Sequence, residues 1–95
     1  MRFLVMCRAI EPAPIGFPDQ IELLEATQQR FADNTDPRIG QVLSFAGERS
    51  FAMVIEARTA AELDRSVFAL PAEPLMIFEV HALIDETSVE LDRPG

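Results

Sequence analysis

Residues 51–84 constrain this chain more than any other stretch. They read FAMVIEAR, TAAELDRSVFAL, PAEP and LMIFEVHALI. That is an apolar run, a helix-start signal, a proline-bracketed turn and a second apolar run. Thr59 and Glu62 have the spacing of a capping box, in which the threonine oxygen takes a free first-turn N–H and the glutamate reaches back. Leu63, Val67 and Leu70 then fall on one helical stripe. Pro71 and Pro74 close the helix, because proline lacks the N–H a helix or ladder needs. The expected order is strand, helix, tight turn, strand.

The first half repeats that grammar. Residues 2–9 (RFLVMCRA) form a short apolar run, a strand with both faces largely apolar. Residues 10–18 hold three prolines and a glycine and read as a loop. Ile15 and Phe17 are apolar residues in it, placed either to staple the loop to the core or to roof a site. Residues 19–33 read as a helix opened by Pro18 or Asp19, with acids near its positive end. Ile21, Leu24, Gln28 and Phe31 form its sheet-facing stripe, flanked by Leu23 and Ala32. Residues 39–46 and 51–57 read as a hairpin through a turn at 47–49. Gly40 marks an edge position or a bulge.

The order β-α-β-β-α-β is the split, ferredoxin-like α+β arrangement, with a four-stranded antiparallel sheet in the order 4-1-3-2. Two helices cover one face. Alternate residues on the other face are also apolar, so a second copy is expected to cover it, giving a dimeric α+β barrel. Residues 1–84 make the domain and the acidic residues 85–95 a tail. A chain of 95 residues has no room for a second domain.

Charge narrows the partners. Sixteen acids against eight bases give a net charge of −8. Nucleic acids and anionic membranes are disfavoured, because phosphate binding needs clustered positive charge. All eight bases are arginine, which excludes lysine Schiff-base chemistry and fits a GC-rich bacterial genome. No apolar run is long enough to span a bilayer. The single cysteine cannot form an internal disulfide, and no signal peptide is read at the start, so a cytoplasmic location is expected. One histidine and one cysteine without ligand spacing give no metal site.

The block Leu70-Pro71-Ala72-Glu73-Pro74-Leu75-Met76-Ile77-Phe78-Glu79-Val80 resembles the helix end, proline turn and last strand of muconolactone isomerase-like proteins. The resemblance implies a dimeric α+β barrel, often assembled into larger rings. It also implies proton transfer within an unsaturated lactone, with no metal or other cofactor. Ala72-Glu73 and His81 depart from the pattern, so the implied substrate does not follow.

Glu79 and His81 lie two apart in a strand and share a face. Glu56 stands across the first strand from them, and Arg2 and Arg8 come from that strand itself. Desolvation would push such acids and bases towards neutrality, suiting proton transfer between carbons. Glu79, His81 and Glu56 are therefore the catalytic candidates. Arg2 and Arg8 would stabilise an enolate oxygen, and Ile15 and Phe17 would roof a pocket between sheet and helices. Each charged candidate can equally be a structural ion pair. Cys7 reads as a small core residue.

The function expected is a cofactor-independent isomerase or cyclase acting on a small lactone or enolisable carbonyl compound. The alternatives are a non-catalytic ligand-binding or assembly module, and a cofactor-free monooxygenase of the same fold. One feature separates them. A lined cavity with an open carboxylate favours the enzyme, whereas Glu79 and His81 paired in solvent with no adjoining cavity count against it.

Overall fold

The structure, a computed structural model, describes residues 1–44 and 50–84. The expected turn at 47–49, the end of the second strand at 45–46 and the tail at 85–95 lie outside the described residues. Six main elements follow in order: β1 (Arg2–Ala9), α1 (Phe17–Ala32), β2 (Ile39–Ser44), β3 (Ser50–Glu56), α2 (Ala60–Phe68) and β4 (Met76–Leu83). A single 3-10 turn, Glu73–Leu75, sits between α2 and β4. The four strands form one antiparallel sheet in the order β2-β3-β1-β4, as the sequence predicts.

Strand parity divides the sheet into two faces. On one, Val5 and Cys7 of β1 and Met53 and Ile55 of β3 are fully buried. They pack with Leu63, Val67 and Leu70, the α2 stripe and its continuation. Phe3, Phe51, Met76 and Phe78 join them at partial burial. Burying each large side chain of this set contributes about 1.5–3 kcal/mol. The sequence left open which set of β3 residues faces the helices, and the structure assigns Phe51, Met53 and Ile55 to it. The opposite face carries Leu4 and Met6 of β1, Ala52 and Val54 of β3, and Ile77 and Leu83 of β4.

α2 begins as expected. The Thr59 hydroxyl accepts the Glu62 N–H at 3.2 Å. The reciprocal bond is shifted by one residue, since the Glu62 carboxylate takes the N–H of Arg58, not that of Thr59, at 3.0 Å. α1 differs more from expectation. It starts at Phe17, with Gly16 as a cap that offers no side-chain bond, so Phe17 and Pro18 belong to the helix and not to the loop. Proline fits there because the first helical N–H groups have no internal partner anyway. Asn34, with φ of 50°, turns the chain out of the helix in the left-handed region.

β2 is an edge strand with an irregularity at its start. Ile39 faces Ile55 and Gln41 faces Val54, so two steps along β2 match one along β3, with Gly40 as the extra residue. Both readings of Gly40 hold: it lies on the edge and in a bulge.

Candidate functional site

α1 faces the sheet across a gap. Its C-terminal half is held down: the Phe31 ring meets the Phe51 ring edge-on at 5.8 Å between centroids. Thr27, 3% exposed, donates to the Leu23 carbonyl at 2.8 Å and accepts the Ala72 N–H at 2.9 Å. Its N-terminal half is open. Ile21 and Leu24, on the predicted sheet-facing stripe, stay 39% and 38% exposed, and Phe17 is 64% exposed. Between this half and the sheet lies a cavity of about 430 Å³, within the range of small-molecule sites.

The walls come from several elements. Phe17, Ile21, Leu24 and Phe31 of α1 form one side, with Val42 of β2 and Phe51 of β3 opposite. Ala9, Leu75 and Met76 close one end. The polar residues are Gln20, Thr27 and Gln28 from α1, Ser44 and Ser50 at the strand ends, and Glu11. Gln20 donates to the Ile15 carbonyl at 2.8 Å, which ties the loop to α1. Glu11 is placed by the sheet: the Ile10 N–H extends the pairing of β1 with β4 by donating to the Leu75 carbonyl at 2.9 Å. Glu11 is the one ionisable side chain among the described lining residues.

The predicted charged residues fall on one face of the sheet, but not the face beside the helices. Arg2 faces Glu56 on β3 and Leu83 on β4, Met6 faces Glu79, and Leu4 faces His81. Glu56, Glu79, His81, Arg2 and Arg8 therefore share one face, which strand parity predicts for Glu79 and His81. That face is the open one, away from the helices. The expectation that these residues adjoin a pocket between sheet and helices is corrected: one register step separates Arg8 from Cys7, and with it the open face from the core. Glu79 Oε1 lies 3.3 Å from His81 Nε2, with both side chains about half or more exposed. Glu56 holds the N-terminal ammonium at 3.0 Å. Of the two roof candidates, Phe17 lines the cavity, whereas Ile15 contributes only its carbonyl through Gln20.

Among the described residues two titrations are shifted. Burial pushes the Cys7 thiol up to about 12, in keeping with a core residue that has no base to activate it. Glu62 is held below its ordinary carboxylate value, first by the hydrogen bond from the Arg58 backbone, then by the Arg58 and Arg38 charges. Its carboxylate lies 3.5 Å from Arg58 and 3.7 Å from Arg38, away from the cavity. Among the described residues no three His, Cys, Asp or Glu side chains converge as a metal site.

Glu11, Gln20 and Thr27 escaped the sequence reading. A polar residue breaking the apolar stripe of α1 was the available signal: Thr27 and Gln28 sit between Leu24 and Phe31. Glu11 gives no such signal within a proline-rich loop.

No family model and no curated protein matches the chain. The match is structural. A solved structure of muconolactone isomerase superposes with a TM-score of 0.73 over 90% of each chain, at 20% sequence identity. The chain has a muconolactone isomerase-like fold. At that identity the likeness carries the architecture, and function has to be argued from the cavity.

Proposed function

We propose that this chain is a small isomerase or cyclase that moves a proton, without a cofactor, on a small lactone or enolisable carbonyl compound. The substrate lies in the cavity between α1 and the sheet. One observation carries the reading: an apolar cavity whose described lining residues include a single acid, Glu11. A carboxylate beside a carbon acid can take a proton from one carbon and return it to another. The amide of Gln28 offers a donor to the oxygen on which enolate charge develops. The muconolactone isomerase-like fold supports the reading by analogy.

The placement of Glu79, His81 and Glu56 favours a second reading, a ligand-binding module without catalysis. The acid–base residues that the sequence offers stand on the opposite face from the cavity. On either reading the open sheet face is covered by a second copy, because Leu4, Met6, Val54 and Ile77 make an apolar surface there. The Glu79–His81 pair and the two arginines then belong to that interface.

A screen of lactones and enolisable carbonyl compounds in deuterated water decides between the readings. The wild type is expected to exchange hydrogen beside the carbonyl. Glu11→Gln should slow exchange by about 10²-fold or more, the usual contribution of a positioned base. Glu79→Gln and His81→Ala should exchange like wild type. Loss of exchange in either sheet-face variant would return the chemistry to that face. Compounds that bind and never exchange would leave a binding module.

A further inference from the structure

We infer that the cavity selects uncharged, flat ring compounds over their carboxylated analogues, and that Glu11 sets the difference. This inference rests on the cavity being the ligand site. Phe17, Phe31 and Phe51 all line it. Phe31 and Phe51 already meet edge-to-face, so the wall is set for a further ring, which aromatic groups receive in offset or edge-on geometry. Phe17 stands 64% exposed at the first position of α1, beside Ile21 and Leu24. A flat apolar ligand would cover this surface, and removing apolar area from water favours binding.

Charge decides what the ring can carry. Glu11 puts a carboxylate on the lining, in a chain of net charge −8. A ligand carboxylate would meet that negative charge. A ligand hydroxyl or carbonyl would meet the amide of Gln28, which has no hydrogen-bond partner among the described residues and can donate or accept. Glu11 is solvent-exposed, so water and salt soften the repulsion. The expected discrimination is accordingly about threefold to tenfold.

Naphthol and naphthoate test this as a matched pair, because they share one ring system and differ in charge at neutral pH. Equilibrium dialysis against the full chain should show naphthol binding more tightly. Glu11→Gln should bring the two affinities together by strengthening naphthoate, and Gln28→Arg should reverse the order. Leu24→Trp, which fills the cavity from a surface-tolerant position, should weaken naphthol. Equal binding of both probes to the wild type would overturn the inference. So would an unchanged ratio in Glu11→Gln, or naphthol binding indifferent to Leu24→Trp. Discrimination without hydrogen exchange on any carbonyl compound would sink the catalytic proposal and leave this one standing. Exchange without discrimination would do the reverse.

Discussion

The Thr27 hydroxyl accepts the backbone N–H of Ala72 at 2.9 Å, across 45 positions of sequence. It is the tie that holds α1 to the proline turn while the helix stands off the sheet. Thr27→Val removes the acceptor and leaves a buried N–H without a partner, a loss of about 1–3 kcal/mol. Thr27→Ser keeps the oxygen and should retain most of the stability. Urea unfolding of the two variants checks this, and a valine variant as stable as wild type would remove the tie from the account.

At the start of α2, Thr59→Ala should cost about 1 kcal/mol, the usual worth of a helix cap. The Glu62 N–H that the threonine takes would then turn to water. Thermal unfolding near neutral pH is the direct measurement.

Glu62 also makes stability depend on acid. Its folded value lies below the ordinary 4.5, so its contribution is full above that value and is lost as pH falls through the depressed one. Wild type should therefore lose stability on acidification below about 4.5 more steeply than Glu62→Gln. Parallel acid profiles for the two would remove Glu62 from the acid response.

Cys7 works in the opposite range. Its thiol is raised from 9.0 to about 12 in the folded chain. The neutral form is favoured by folding, so this contribution is full below 9.0 and is lost as pH rises towards 12. Iodoacetamide at mildly alkaline pH should leave native protein unlabelled and label it in urea. Rapid labelling without denaturant would place the thiol outside the core.

Met6 lies on the open sheet face, opposite Glu79. If a second copy covers that face, Met6→Glu sets a new carboxylate beside an existing one at the interface. Sedimentation should then show a dimer become a monomer with an unchanged far-ultraviolet spectrum. A wild-type chain that sediments as a monomer would mean that no second copy covers the sheet.

The fold was legible because its signals are local. The Thr59–Glu62 spacing, the Pro71–Pro74 bracket and the alternating strands each name an element, and their order leaves one sheet topology. Strand parity also put Glu79 and His81 on a common face, and the register of the sheet adds Glu56 to it. What parity cannot say is which face the helices take, since Val5 and Cys7 on one side and Leu4 and Met6 on the other are equally apolar. The choice is made by the volume of residues distant in sequence, Met53 and Ile55 packing on Leu63 and Val67. The candidate site was lost at that step. The cavity itself comes from α1 standing off the sheet, held by a bond between Thr27 and Ala72 that no periodicity encodes.

The bulge at Gly40 frees the cavity wall from the exact length of the edge strand. A Cβ there would meet only the Val54 carbonyl, at 3.8 Å, an ordinary contact, so neither the number nor the type of residue at the bulge is tightly set. With the extra residue, Val42 and Ser44 face Met53 and Phe51 on the helix side, and Gln41 and Leu43 turn outwards. Deleting Gly40 would remove the bulge and leave the same pairs in regular succession, Ile39 with Ile55 and Gln41 with Val54, so valine and serine would stay in the wall. The edge strand can thus lose that codon without rewriting the ligand's surroundings, and a new specificity on this scaffold has to come through the wall residues themselves.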